Sequence, residues 1–424
     1  MTPAEIIRAG RPLPCRPWPR HQITSQAWRD MARALASSPE LRLQALWADA
    51  DQVYALFTRP DPLLVSAPVE AGVYAALSPA RAEAALFERA IADLWGHIAA
   101  DAIDAAPLLD HGDWPVLRPM LARPIPNTGT PEPLELRPAP EDAASFRIGP
   151  VQSGLPGPAL LSVAVRGDRV AQLEARLGFG HRGVLALLRG RTPNEAAKLV
   201  ARISATGAVA HSLAFAHAAE AALGADVPPR AIALRTALVA IERIAICLHD
   251  AACVWDALGR DSARILDQRE TLLRASAFAF GSRLLLDVVV PGGLARDIGA
   301  EGREGLAAAL ALVRPPAAPV MADRLAAVPE DIALALRTLA DLPAGPVTTV
   351  LPRPEGEGLG RGESARGPVW HWLEVQEGRI AQCFAADPAM LLWPAFERCM
   401  PGLPLSEVAL RAAATGLSTP GVDL

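Results

Sequence analysis

One stretch, residues 176–224, limits this chain more than any other: RLGFGHRGVLALLRGRTPNEAAKLVARISATGAVAHSLAFAHAAEAALG. A glycine-rich turn through Gly178, His181, Arg182 and Gly183 leads into an apolar-periodic segment. A second turn at Arg191-Thr192-Pro193 opens another helical pattern, with Leu199, Ile203, Val209, Leu213 and Phe215 near helical spacing. Gly224 and Pro228-Pro229 punctuate its end, so 195–258 reads as two or three long helices.

A chain of 424 residues, 51% hydrophobic, has room for two or three domains with sizeable cores. A net charge of -5 and a pI near 6.0 give no case for nucleic acid. Lys198 is the only lysine, so arginine carries almost all the positive charge. No run approaches the ~18 apolar residues of a membrane span. The apolar stretch 231–255 is broken by Arg235, Glu242, Arg243, His249 and Asp250. The N-terminus lacks an apolar signal core, which predicts a cytoplasmic chain. Five cysteines, Cys15, Cys247, Cys253, Cys383 and Cys399, form no CxxC pair and read as reduced thiols.

In chain order, residues 1–23 are rich in Pro and Arg and predict extended chain. A helical pattern covers 24–37, and strands are expected at 41–47, 53–58, 63–68 and 72–76. Ser78-Pro79 reads as an N-cap and first helical residue, with the helix running to Trp95. Residues 123–145 are Pro- and acid-rich and read as a linker. Strands at 159–166 and 169–176 flank Gly167-Asp168, a two-residue hairpin turn. Pro291-Gly292-Gly293 reads as a tight turn, and 369–375 with 379–384 as a second hairpin.

The central stretch resembles the large subunit shared by [NiFe] hydrogenases and the D-type subunit of complex I. Hydrogenases of that family carry Arg-Ile-Cys-Gly-x-Cys followed by a His-Ser/Ala-Leu-Ala helix. Here the slot reads Arg202-Ile203-Ser204-Ala205-Thr206-Gly207, then His211-Ser212-Leu213-Ala214. Residues 87–96, FERAIADLWG, resemble the Tyr-Glu-Arg-Glu-x-x-Asp segment of the complex I C-type subunit, and 110–115, DHGDWP, resemble that subunit's ending. In energy-converting (group 4) hydrogenases a C-type domain is fused ahead of the large subunit, the order found here. The C-terminal 362–372, GESARGPVWHW, resembles the hydrogenase Glu-x-x-Arg-Gly-x-x-x-His-Trp segment. After Pro315 many tens of residues usual in large subunits are missing. The resemblance implies an α+β fold: a small α/β N-terminal domain (1–122), the linker (123–145), and a mainly helical, large-subunit-like domain (146–424). That last domain is expected to open with a β-hairpin and to carry a small C-terminal sheet.

The resemblance also implies what chemistry is missing. The four thiolates of a Ni–Fe centre fall on Ser204, Gly207, Thr415 and Ser418. Hydroxyls stay protonated near neutrality and are poor ligands for soft metals, and glycine offers no side-chain atom. Complex I places a quinone-bonding His where this chain has Gln152, which cannot supply a proton. The two tyrosines, Tyr54 and Tyr74, both lie in the first domain, so the large-subunit-like domain has no Tyr to hold a quinone. Gln152, His181, Arg182 and Arg366 remain as vestigial pocket residues, with Arg366 matching the Arg beside the hydrogenase iron. His211 and His217, six apart, do not share a helix face as a metal pair. No cofactor or metal is expected in this chain; an iron–sulfur cluster is expected in a partner, a small subunit similar to the B-type subunit of complex I. Further partners would be antiporter-like and other membrane subunits, with quinone as a candidate ligand, and the chain would sit on the inner face of the cytoplasmic membrane through them. The alternatives are a hydrogenase maturation scaffold that mimics the large subunit, and a paralogue without function.

Overall fold

The computed structural model describes residues 1–129, 134–151 and 155–424. Packing groups these into two compact units: Met1–Ala186 with Ala389–Leu405 and Ser418–Leu424, and Leu187–Pro388 with Ser406–Leu417. This division cuts the chain elsewhere than residues 122 and 145. Helices and small sheets are mixed in both units, giving an α+β fold.

The first unit opens with a helix where Pro and Arg predicted extended chain. In α1 (Pro3–Arg8) the Thr2 hydroxyl accepts the Glu5 N–H and the Glu5 carboxylate accepts the Thr2 N–H. This reciprocal cap, with Pro3 in the first turn, overrides the local composition. Helix α2 (Ser25–Ala34) follows as predicted. A five-stranded sheet combines β1 (Arg11–Leu13), β2 (Arg20–Gln22), β3 (Arg42–Ala48), β4 (Gln52–Arg59) and β5 (Asp61–Pro68), in the order β1-β2-β5-β4-β3. Only β2 and β5 run parallel within it. The strand predicted at 72–76 forms at Val73–Ala75 but pairs with Ile98–Ala100, outside this sheet.

Helix α3 (Ala85–Trp95) starts later than Ser78-Pro79 predicted. Ser78 is not its cap: the Ser78 N–H donates to Glu88 at 3.0 Å and its hydroxyl accepts the Ile103 N–H. The charged residues of α3 hold down the segments around it. Buried Glu88 accepts the N–H groups of Leu77 and Ser78, Arg89 donates to the carbonyls of Ala106 and Pro107, and Asp93 accepts from Leu108 and Leu109. Gly96 closes the helix in the left-handed conformation, φ 76°. The Glu-Arg…Asp…Gly pattern is therefore a set of backbone anchors, each satisfying groups that would be costly to bury unpaired.

The predicted hairpin is present as β7 (Leu160–Arg166) and β8 (Arg169–Arg176), turning at Gly167 with φ 61°. A further strand, β6 (Ala144–Ile148), pairs antiparallel with β7, so the end of the Pro-rich segment joins the sheet. Earlier in that segment Ile125–Pro126 pairs with Val116–Leu117.

The second unit is built on helices: α4 (Pro193–Val200), α5 (Ala208–Leu223), α6 (Pro229–Ala257), α7 (Ala263–Phe280), α8 (Ala300–Leu312) and α9 (Val328–Ala340). Thr192 and Glu195 form a second reciprocal cap at the predicted turn into α4. Along α6, Leu234, Leu238, Ile241, Ile244 and Leu248 enter one continuous apolar core. The Pro-Gly-Gly turn is pinned by a buried pair: Glu220 accepts the Gly292 N–H, and Arg235, bound to Glu220, donates to the carbonyls of Val290 and Gly293.

An antiparallel sheet, β9 (Gly356–Ser364), β10 (Gly367–Gln376) and β11 (Arg379–Ala386), contains the second predicted hairpin. Strand β9 was not predicted. Its glycines alternate at 356, 358, 360 and 362, and α5 lies directly on them. A Cβ at Gly356, Gly358, Gly360 or Gly362 would fall 2.1, 2.1, 2.0 or 2.1 Å from the carbonyl oxygens of Ala222, Ala218, Ala214 and Ala210. Four residues of α-helix rise about 6 Å and two of strand about 6.6 Å, so the two stripes stay in step over this length. Backbone therefore packs on backbone, and neither partner has a flexible side chain that could move aside. Gly360→Ala is expected to destabilise the protein by at least the ~1–3 kcal/mol typical of overpacking; a fall of several degrees in thermal midpoint, against no fall for Gly305→Ala in open space on α8, checks it.

Candidate functional site

Helix α6 buries charge in the middle of its apolar run. Asp250 is 2% exposed and faces two guanidinium groups. Arg366 binds it through Nη2 at 2.7 Å and Nε at 3.2 Å, and Arg324 through Nη2 at 2.5 Å. Burial alone would raise Asp250, but the two arginines outweigh it and hold the carboxyl below its usual range. Arg366 sits in the turn between β9 and β10, where the Ser364 hydroxyl accepts its N–H and donates to the Gly367 carbonyl. Gly416, which ends α10 (Glu407–Thr415) at φ 71°, leaves the room: a Cβ there would lie 2.5 Å from Arg366 Nε and 2.6 Å from Asp250.

From this ion cluster a hydrogen-bond chain runs into the loop that matches the cysteine motif. Arg366 Nη1 donates to the Thr206 hydroxyl at 2.9 Å, and Thr206 Oγ1 lies 3.1 Å from Ser204 Oγ. Ser204 is buried, and its hydroxyl is engaged rather than presented to a ligand. Gly207 caps α5 at φ -166° and ψ 30°, and a Cβ there would meet only His211 Cδ2, at 3.6 Å. Space at 207 thus does not require glycine.

Two further buried groups surround the start of α5. Glu242 accepts the N–H groups of Val209 at 2.6 Å and Ala210 at 3.0 Å, satisfying first-turn donors. Burial pushes its carboxyl up to about 7, against the lowering by those hydrogen bonds and Arg366. His211 links Asp387 (Nε2 to Oδ2, 2.9 Å) to His371 (Nδ1 to Nε2, 3.1 Å). Asp387 Oδ2 accepts from His211 Nε2, and a single proton bridges His211 Nδ1 and His371 Nε2. Burial, then His211, hold His371 far below the ordinary imidazole range, so it stays neutral. Asp250, Arg324, Glu242, Asp387 and this pairing of His211 with His371 were not foreseen. For Glu242 and Asp250 the signal was present in the charges interrupting the apolar run 231–255.

Gln152 lies outside the described residues. His181, Arg182 and Ser418 are in the first unit, while Ser204, Gly207, Thr415 and Arg366 are in the second. The His-Arg-Gly turn grips the end of the chain. His181 Nδ1 donates to the Asp423 carbonyl at 2.5 Å, Arg182 to the Pro420 carbonyl at 3.0 Å, and the Gly178 N–H to the Asp423 carboxylate at 2.9 Å. Burial raises Asp423 to about 6 and lowers His181, whose ring lies 4.7 Å from Trp114. The Ser418 carbonyl accepts from Trp393 Nε1 at 2.9 Å.

These donors do not fit a thiolate-held metal centre. Ser204 is committed to Thr206, Gly207 has no side-chain donor, and Thr415 is a hydroxyl. Among the described residues no group of three or more His, Cys, Asp or Glu is placed to hold a metal ion. The polar interior can hold charge, anchor α5 and fix the loop at 204–207.

Removing one partner of a buried ion pair strands the other charge, at about 3–5 kcal/mol. Arg366→Met is therefore expected to lower unfolding free energy by that order in urea titrations, and Asp250→Asn to do likewise. Glu242 titrates higher in the folded chain, about 7, than its ordinary 4.5. The native state therefore binds the extra proton, and the stability present below pH 4.5 declines as pH rises to about 7. The full decline is about 3 kcal/mol. Glu242→Gln should remove this slope, measured as the difference between variant and wild-type stability across that window.

No protein-family model matches the chain. It is 29% identical over 227 residues to hydrogenase-4 component G of Escherichia coli (strain K12), covering 51% of this chain and 41% of that protein. It is 26% identical over 159 residues to a carbon monoxide-induced hydrogenase of Rhodospirillum rubrum, covering 37% and 44%. It is 25% identical over 159 residues to the D subunit of NADH-quinone oxidoreductase from Trichlorobacter lovleyi, covering 37% and 41%. The chain thus spans about two-fifths of the length of these curated relatives. A chain in the structure of the membrane-bound sulfane sulfur reductase, an archaeal respiratory membrane complex, shares its fold with a TM-score of 0.60 at 17% identity, over 68% of this chain and 100% of that one. Among the described residues no helix is long and apolar enough to cross a membrane. The homologues of this chain are accordingly hydrogenase components and the D subunit of NADH-quinone oxidoreductase.

Proposed function

We propose that this chain is a large-subunit-like component of a membrane-associated redox complex of the complex I or hydrogenase type, serving as a docking and structural element without a Ni–Fe centre of its own. The observation that carries this is the loop at 204–207: it keeps the family's frame, yet its donors are a hydroxyl chain running to Arg366 and Asp250. The relatives named as hydrogenase components and oxidoreductase subunits favour membership of such an assembly. An iron–sulfur small subunit would dock on it, and membrane subunits would hold it at the inner face of the cytoplasmic membrane. Electron transfer would pass through the partner's cluster. Quinone reduction is not part of this reading, because Tyr54 and Tyr74 both belong to the first unit, where Tyr54 is bound to Asp49.

Affinity purification of the tagged full chain from native membranes, with mass spectrometry of what accompanies it, tests the proposal. The expected result is an iron–sulfur subunit together with polytopic membrane proteins. Recovery with soluble maturation factors, and absence of the chain from membranes, would instead establish the assembly-scaffold reading.

A further inference from the structure

A small cavity open to solvent lies between α6 and α7 in the second unit, bordered by Ala205-Thr206 and by the loop at 283–285. Its lining mixes polar groups, Arg269, Arg283, His249 and Ser276, with apolar ones that include Leu273 and Leu285; the Ser276 hydroxyl donates to the Leu272 carbonyl. Arg269 distinguishes it. The Nε of this side chain is buried and has no hydrogen-bond partner, and among the described residues no carboxylate lies within ion-pair distance of its guanidinium. The neighbouring carboxylate, Glu270, is instead bound by Arg274 and Arg283. Glu242 also lines the cavity, but both of its oxygens are taken by the N–H groups of α5.

A buried guanidinium nitrogen without an acceptor is costly, since it has lost water and gained nothing in return. The cost is recovered when a ligand brings the acceptor. Arg283 is paired with Glu270, so Arg269 is the cavity's guanidinium without an ion-pair partner among the described residues. A monoanion matches that charge, and a planar two-oxygen acceptor matches the guanidinium fork. Leu273 and Leu285, among the lining residues, can cover a short hydrocarbon group. The mixture of one charged anchor with apolar walls is typical of small-molecule sites.

We infer that this cavity is a binding site for a short-chain monocarboxylate, held by Arg269 with Ser276 and His249 beside it and its hydrocarbon end against Leu273 and Leu285. The inference does not depend on membership of a membrane complex, because it concerns the isolated chain.

Isothermal titration of the purified full chain with sodium acetate, sodium phosphate and sodium chloride, at constant ionic strength, tests it. The expected result is saturable binding of acetate, weakened about tenfold in Arg269→Gln as a charge-assisted hydrogen bond is lost. Arg264→Gln, exposed on the same helix, is expected to bind as wild type. Equal acetate binding by wild type and Arg269→Gln would overturn the proposal, as would phosphate or chloride binding as well as acetate. Should Arg269→Gln not fold, amide exchange on the wild type decides the question instead. Acetate should slow exchange across 265–285 where chloride does not, and unchanged exchange would overturn the site.

Discussion

The second unit depends on one contact, the seating of α5 on β9. Four glycines on alternate strand positions face four alanines one helical repeat apart, close enough that any Cβ on the strand would strike a carbonyl oxygen. Side chains normally set the spacing between a helix and a sheet; here the backbones set it. Such a contact has little slack, so the register of α5 against the sheet is fixed to a fraction of a residue. The polar interior inherits that register. His211 on α5 meets His371 on β10, and the turn at the end of β9 delivers Arg366 to Asp250. Moving α5 by one residue would separate the imidazoles and pull Val209 and Ala210 from Glu242.

Charge in this interior is balanced locally rather than by solvent. Asp250 faces two arginines, and Arg324 spends its remaining donors on the carbonyls of Ala365 and Ala414. Glu220 and Arg235 form a second self-contained set around the glycine turn at 292–293. Buried pairs of this kind add little net stability over an apolar replacement, but they strongly penalise loss of one member. They therefore select a single arrangement of α5, α6 and the turns. Glu242 differs, because no cation lies in hydrogen-bonding contact with it among the described interactions. Its partners are neutral N–H groups, which is why burial dominates and its carboxyl keeps its proton so far up the pH scale.

Patterns with a local physical cause could be read from the sequence. Alternation bounded by turns located the two hairpins and most of the first sheet, because side-chain period and turn chemistry are properties of a few adjacent residues. The same reasoning erred at Ser78, since a residue type suited to capping was already claimed by Glu88 from ten positions ahead. At α1 it weighed composition over the Thr2–Glu5 cap, a local signal that stood in plain view. Strand β9 escaped because alternate glycines look like loop until the facing alanine stripe is known, and that stripe is nearly 150 residues away. The charges in 231–255 were read as reasons against a membrane span. They were also the site, because a charge inside an apolar helix needs a partner, and only folding shows which one.

In the loop at 204–207 hydroxyls supply the acceptor that an arginine needs. An arginine beside thiolates has acceptors in those sulfurs. With serine and glycine in their places, Arg366 Nη1 would be left without an acceptor in a buried setting, a loss of about 1–3 kcal/mol. Thr206 removes that penalty: its hydroxyl accepts from Arg366 and remains free to donate toward Ser204. Gly207, where a Cβ would find space, marks a position that sterics leave open. The loop's hydroxyls are thus satisfied within the chain and tied to the ion cluster. On this reasoning the restraint on residue 206 is chemical: Thr206→Val keeps the shape and removes the acceptor, and it should cost the fold more than Ser204→Ala, which leaves Arg366 fully bonded.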